Sequence, residues 1–352
     1  MSLDLRALHA ALAGAIDLLS DEISDAAAVT QSPPEPVRAA AAAPLRQAER
    51  PAVVPTNAAL AIAIGALSSE VCEADAVLLD RGPTPRGPAP SGSSSAKWFF
   101  CRRPNPRARC RLFCLPYAGG SAMAFREWHQ FVPPAVELCP IELPGRWSRR
   151  HEPMPQEMSV LGEQMADDLA EFWDLPIVLF GHSMGGLAAF ELARALRRRG
   201  IAIRHLHVAA RSAPQWPRDL SVELHHLPDD DLLQRLIQEY AGIPSAVLED
   251  RELLALVLPV IRADMTALET YDYVAEPPLP CPISVYAGTG DRAVKLPTLR
   301  AWQAQTEGAF SLEYMDGDHF FPMTRPREVV ERLWRHTTAP NGHGDELPIT
   351  RR

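Results

Sequence analysis

No run of about 18 uninterrupted apolar residues occurs in this 352-residue sequence, which argues against a membrane-spanning helix. The opening stretch, MSLDLRALHAALAGAIDLLSDEI, lacks the basic segment that begins a secretory signal and carries acids among its apolar residues. It reads as an amphipathic helix instead. Cysteine is sparse: Cys72, Cys101, Cys110, Cys114, Cys139 and Cys281 include no C-x-x-C pair and no zinc-like spacing. Scattered reduced thiols in a cytoplasmic protein, with no metal, are expected. There is no surplus of positive charge, since the net charge is −9, and nucleic acid is excluded as a general partner. The glycines of Ala287–Gly290 do not complete a G-x-G-x-x-G loop, so no nucleotide cofactor is expected. Nothing matches the Asp-Ser-Leu around a phosphopantetheine attachment serine, so the chain is not itself a carrier domain.

The 34 prolines and many alanines cluster early. Residues 1–96 contain QSPPEPVRAAAAAP and end in RGPTPRGPAPSGSSS, a Pro/Gly/Ser linker. Acidic residues outnumber basic ones there, eleven to six. The segment is expected to be a partly disordered extension with a short helix, Leu5, Leu8, Leu12 and Ile16 at helical spacing, that could dock on a partner. Residues 341–352 are expected to form a disordered tail.

From residue 97 to 340 the pattern is that of one α/β domain. Cys110–Pro116, Val136–Leu143, Ile177–Gly181, Ile203–Ala210, Ile283–Gly288 and Phe310–Met315 read as strands. They alternate with helical stretches, among them Met158–Trp173, Leu187–Arg199 and Arg327–His336. Such alternation implies a mainly parallel sheet with helices on both faces. The fourth and fifth strands are separated by too many residues for one crossover helix. Asp229 or Asp230 can cap a helix bearing Leu232, Leu233, Leu236, Ile237 and Tyr240. A second stretch, Glu252 to Tyr271, carries Leu254, Leu258, Ile261, Met265 and Leu268, with Pro259 expected to kink it. This insertion, about 214–275, is expected to be a lid.

The chemistry centres on PIVLFGHSMGG, residues 176–186. Gly181, Ser183 and Gly185 fit the G-x-S-x-G elbow, in which a serine stands at a sharp strand-to-helix turn too tight for side chains beside it. A serine nucleophile needs a histidine base and a carboxylate, in the chain order Ser, Asp, His. Asp291 follows the strand ISVYAG, and His319 lies in the loop MDGDHFF after the last strand. The pattern thus nominates Ser183, Asp291 and His319, with Asp316 and Asp318 as rival partners of His319 and His182 as structural. Backbone N–H groups of Met184 and of Ala118, in the glycine-rich loop after the first strand, would hold the oxyanion. His225 and His226 form no metal motif and are expected in a solvated loop. Arg146, Arg149 and Arg150 could be a solvated face or contact phosphate.

Taken together, FCLPYAGGSAMAFREW, IELPGR, FGHSMGGLAAFELARAL, LALVLPVIRADMTALETYDY and GDHFF resemble the type II thioesterases of polyketide and nonribosomal peptide assembly lines. The resemblance runs from about Trp98 to Thr338 and does not reach the 1–96 extension. It implies an α/β-hydrolase fold, the triad Ser183, Asp291 and His319, and an oxyanion hole of Ala118 and Met184. It also implies hydrolysis of stalled acyl groups from the phosphopantetheine arm of an acyl or peptidyl carrier protein. A cytoplasmic monomer without cofactor or membrane attachment is the expectation. Since carrier proteins tend to be acidic, the Arg146–Arg150 region is expected to supply a basic patch at the mouth. A dedicated product-releasing thioesterase or cyclase, and a non-catalytic synthase-docking module, stay open as alternatives.

Overall fold

The computed structural model describes residues 95–217, 223–240 and 251–338, with side chains in the last stretch from 254 onward. The expectations for the extension up to residue 94 and for the tail 341–352 fall outside these residues, as do two pieces of the insertion. The strands are β1 (Cys110–Leu115), β2 (Val136–Pro140), β3 (Ile177–His182), β4 (Ile203–Ala209), β5 (Ile283–Gly288) and β6 (Phe310–Met315). They form one sheet, all parallel, in the order β2-β1-β3-β4-β5-β6.

Strand composition explains this arrangement. In β3, Ile177 and Leu179 point into one apolar cluster while Val178 and Phe180 point into the other, and all four are buried. A strand covered on both faces is apolar at nearly every position, which is why β3 reads as a continuous run from Ile177 to Phe180 rather than an alternation. Each such side chain contributes about 1.5–3 kcal/mol by leaving water. One face is covered by α1 (Met158–Asp168) and α2 (Met184–Arg198), through residues such as Leu161, Met165, Leu187 and Leu192. The other is covered by the 3-10 segment Ala122–Gln130, through Phe125 and Trp128, and by a C-terminal helix running from Pro326 to Thr338. The expected helix Met158–Trp173 stops at Asp168 and resumes as a 3-10 turn, Ala170–Phe172.

The insertion between β4 and β5 contributes α3 (Asp229–Tyr240) and α4 (Arg251–Glu269). Three aspartates in its first turn open α3, as the positive end of a helix favours. Pro259 lies inside α4 without ending it. Among the described residues the remaining α-helices are α5 (Leu296–Arg300), α6 (Phe321–Thr324) and the covering helix α7 (Pro326–Thr338). Five of the six cysteines lie in the described residues, and four of them, Cys110, Cys114, Cys139 and Cys281, are buried free thiols. Among those residues no helix is long and apolar enough to cross a membrane.

Strand β4 carries a buried polar layer that was not apparent from the sequence pattern. His205 and His207, two apart and so on one face of the sheet, stack with ring centroids 4.0 Å apart. His207 meets Tyr286 Oη at 3.0 Å and Thr337 Oγ1 at 2.9 Å; His205 meets Ser284 Oγ at 2.8 Å. Burial holds His205 neutral, its pKa pushed down to about 3, and holds His207 well below its ordinary value as well. The sign of the consequence follows. Below pH 6.5 the unfolded imidazoles take up protons that the folded ones refuse, so stability is present above that pH and is lost as pH falls. At pH 5 a histidine shifted this far costs about 2 kcal/mol. Glu142 works in the opposite sense, since burial lifts its carboxyl to about 8 and disfavours its ionised form as pH rises. Denaturant unfolding at pH 7 and pH 5 is the measurement. Replacing His205 with Gln is expected to reduce the loss on acidification by about 2 kcal/mol, and an unchanged loss contradicts the assignment.

Candidate active site

The sheet reverses its order of growth between β1 and β3, and crevices at such a switch point open at the carboxyl ends of the strands. The residues nominated for the triad and the oxyanion hole, Ser183, Asp291, His319, Ala118 and Met184, all follow the carboxyl ends of strands. Ser183 sits between β3 and α2 with φ 54° and ψ −114°, a conformation that a side chain resists. Two backbone bonds hold it: Ser183 N–H donates to Ala209 C=O at 2.8 Å, and Ser183 C=O accepts from Gly186 N–H at 2.9 Å. The flanking glycines are obligatory. A Cβ on Gly181 would stand 2.1 Å from Gly185 O, and one on Gly185 2.1 Å from Leu115 O. Met184 opens α2, so its N–H has no carbonyl one turn back to bond. No acidic residue in that first turn offsets the positive end of the helix.

His319 follows β6, and its Nδ1–H donates to Asp291 Oδ2 at 2.9 Å, with both side chains buried. The loops bearing them are joined by backbone: Thr289 N–H to Met315 C=O and Gly290 N–H to Gly317 C=O, each 2.8 Å. Asp291 also accepts Ala293 N–H at 2.9 Å, which fixes its carboxylate. The rival acids are engaged elsewhere. Asp316 pairs with Arg325 at the surface, and Asp318 accepts Phe320 N–H at 2.8 Å. His182 is structural, as its position beside the serine suggested. Its Nε2–H donates to the backbone carbonyl of His319 at 2.8 Å, and burial pushes its pKa down to about 3.

Ser183 and His319 line one cavity, together with Ala118 and Gly119 of the loop after β1. The insertion supplies an apolar wall, with Leu236 and Tyr240 from α3 and Ile261, Met265 and Leu268 from α4. Tyr240 sets its ring edge against His319, centroids 5.0 Å apart, and burial raises its phenol pKa. Arg211, just beyond β4, completes the lining.

The expectation of a basic patch at Arg146–Arg150 is corrected by the structure. Arg146 is 5 % exposed and pairs with the buried Asp264 of α4, while donating to Pro144 C=O at 2.7 Å and Gly120 C=O at 3.1 Å. Arg149 is also buried, its guanidinium 4.0 Å from the Trp98 ring centroid and 2.9 Å from Glu142 C=O. Only Arg150 of the three is exposed. A cluster of arginines looks like a surface in sequence because nothing nearby reveals Asp264. That acid was the residue missed. Its only local signal was a carboxylate set among Ile261, Met265 and Leu268, on the face that an apolar stripe marks for burial.

His225 and His226 lie in a 3-10 turn rather than a loop. With Glu223 they bring three potential ligand atoms within 4.8 Å of one another, but none of the three lines the cavity. His225 Nδ1 is already 2.5 Å from Glu269 Oε2.

A family model described as a thioesterase domain matches residues 110–337. The chain is 39% identical over 236 residues to a gramicidin S biosynthesis protein, GrsT, of Aneurinibacillus migulanus, covering 67% of this chain and 91% of that one. It is 34% identical over 258 residues to the thioesterase PikA5 of Streptomyces venezuelae, covering 73% and 91%. Among solved structures, the type II thioesterase BorB of the borrelidin biosynthetic cluster superposes with a TM-score of 0.62 at 36% identity, covering 68% of this chain and 97% of that one. RedJ, the prodiginine-pathway thioesterase of Streptomyces coelicolor, does so with a TM-score of 0.60 at 34% identity, covering 74% and 97%. With the fold, the serine elbow and these matches agreeing over the same residues, the chain belongs to the thioesterase family, as a serine-type thioester hydrolase of α/β-hydrolase fold similar to the type II enzymes.

Proposed function

We propose that this thioesterase removes acyl groups from the phosphopantetheine arm of acyl or peptidyl carrier proteins, clearing stalled or aberrant chains from a polyketide or nonribosomal peptide assembly line. It would act in the cytoplasm, where its thiols stay reduced. The observation that carries the proposal is the joint lining of one cavity by Ser183 and by His319, whose Nδ1–H is held by the buried Asp291.

In this reaction His319 Nε2 takes the proton of Ser183 as the serine oxygen attacks the thioester carbon. Asp291 keeps the imidazole in the tautomer that leaves Nε2 free to accept, and stabilises the imidazolium that forms. The carbonyl oxygen becomes an oxyanion facing the N–H groups of Met184 and Ala118. Collapse of the intermediate breaks the C–S bond; the carrier thiol leaves with the proton from His319, and Ser183 is acylated. Water, deprotonated by His319, attacks the ester in turn, releasing the carboxylic acid and restoring the serine. The insertion serves as the lid. Its apolar residues Leu236, Ile261, Met265 and Leu268 would accept the acyl chain while the pantetheine arm reaches the serine from outside.

Mass spectrometry of acylated carrier proteins before and after addition of the enzyme tests the proposal, with Ser183→Ala as control. Loss of short or aberrant acyl groups, recovered as free acids with the carrier returned to its thiol form, is expected. Carriers that stay acylated, or release of a single macrocycle or one full-length acid, would overturn the editing role.

A further inference from the structure

The loop that presents Ala118 is held from outside as well as from within. Gly120 N–H closes a turn onto Tyr117 C=O at 2.9 Å, with Gly119 as its third residue at φ 77°, as a type II turn requires. In that turn the peptide between Ala118 and Gly119 is the one able to flip, since type I and type II turns differ by its orientation. Its N–H, from Gly119, donates to Asp264 Oδ2 at 2.7 Å. The next carbonyl, Gly120 C=O, accepts from Arg146 Nε at 3.1 Å, and Arg146 in turn pairs with Asp264. Ala118 N–H has no partner among the described residues, and Ala118 faces the cavity.

Asp264 belongs to α4, and α4 lies directly on this loop. A Cβ added to Gly119 would stand 2.8 Å from Ile261 Cγ1. The helix that carries Asp264 therefore also carries Ile261, Met265 and Leu268, which line the cavity. Stability alone gives a poor account of the ion pair. Asp264 is 0 % exposed and its Oδ1 has no hydrogen-bond partner among the described residues. A buried pair so placed is often matched or improved upon by apolar side chains of similar size.

The geometry points to Asp264 and Arg146 as positioning residues that clamp the Tyr117–Gly120 turn to helix α4, so that the oxyanion donor at Ala118 is in place only when the acyl-binding wall is seated. The inference rests on the catalytic roles proposed above for Ser183 and Ala118. Neither positioning residue touches the reacting atoms. Their effect is on the rate of acyl transfer and not on capture of the substrate.

The test uses the full chain and octanoyl-pantetheine, with active sites counted by complete phosphonylation of Ser183 so that unfolded protein is discounted. Asp264→Leu is expected to lower kcat by about 30- to 100-fold, the scale set by misplacing a reacting group by about 1 Å, with KM within about threefold of the parent. Asp264→Asn keeps an acceptor for Gly119 N–H and is expected to restore kcat to within about fivefold. An octyl trifluoromethyl ketone, whose carbonyl oxygen becomes an oxyanion when Ser183 adds to it, should lose affinity in parallel with kcat. The thioether analogue of the substrate, which forms no oxyanion, should keep its affinity. Parental kcat in folded Asp264→Leu overturns the inference, as does equal weakening of both ligands. If Asp264→Leu does not fold, Asp264→Glu decides, because it retains the charge but displaces the acceptor by one methylene. A kcat about tenfold lower at unchanged KM supports the clamp, and a parental kcat overturns it. Ser183→Ala, its folded fraction taken from circular dichroism because it has no serine to phosphonylate, separates the two claims. Parental hydrolysis there overturns the catalytic assignment and the clamp with it, whereas loss there beside a parental Asp264→Leu overturns the clamp alone.

Discussion

Ser183→Ala is expected to lower thioester turnover by about 10⁶-fold, the scale seen when a serine hydrolase loses its nucleophile, with the fold intact. His319→Ala is expected to lose about as much, and the double variant little more, because nucleophile and base act as one unit and the second removal finds nothing left to disable. Additive losses in the double variant would show that the two residues act independently. Stability gives a second, separable readout. Ser183 holds φ 54°, a backbone position that costs a side-chain-bearing residue about 1–3 kcal/mol and a glycine far less. Ser183→Gly is therefore expected to be as inactive as Ser183→Ala but more stable by about 1 kcal/mol, after the greater chain entropy of glycine is subtracted. A melting temperature below that of the alanine variant contradicts the strain argument. The two measurements bear on different links: turnover on the chemistry of the oxygen, melting on the geometry of the turn.

Asp291→Asn is expected to lower kcat by about 10⁴-fold with little change in KM. The amide occupies the same space, but its NH₂ group can donate to Nδ1 of His319, which moves the ring proton to Nε2. The nitrogen that must accept the serine proton is then already occupied. Asp316→Asn and Asp318→Asn should stay within a few-fold of the parent, because those carboxylates bond Arg325 and the Phe320 amide and not the imidazole. The kinetic comparison has a spectroscopic counterpart. The downfield proton resonance expected for Nδ1–H against the carboxylate at 2.9 Å should disappear in Asp291→Asn and persist in the other two. A resonance lost on changing Asp318 instead would reassign the partner of His319.

The elbow was legible because its constraints are local. A turn that brings Gly181 against Gly185 O and Gly185 against Leu115 O admits only residues without a Cβ, and that requirement is printed in the five-residue motif. Strands buried on both faces were legible for a similar reason, and β5, buried along its whole length, begins and ends where the sequence pattern does. The helix after the elbow starts at Met184, three residues before the expected Leu187, because the two glycines that follow the serine continue as its first turn. The arginines at 146 and 149 were not legible. Whether a guanidinium is solvated or buried depends on what meets it, and for Arg146 that is Asp264, 118 residues further along.

By itself the sequence determined the alternation of strands and helices and the serine turn, because each follows from rules that act within a few neighbouring residues, and it nominated three residues for catalysis by the chain order that goes with such an elbow. Only the tertiary structure decided which carboxylate meets His319, that His182 supports its backbone, and that the acid of α4 reaches the loop at Gly119. Those pairings join residues from separate elements. Their distances are set by how the sheet edge and the insertion pack, a global balance of burial and hydrogen bonding that no short stretch of chain encodes.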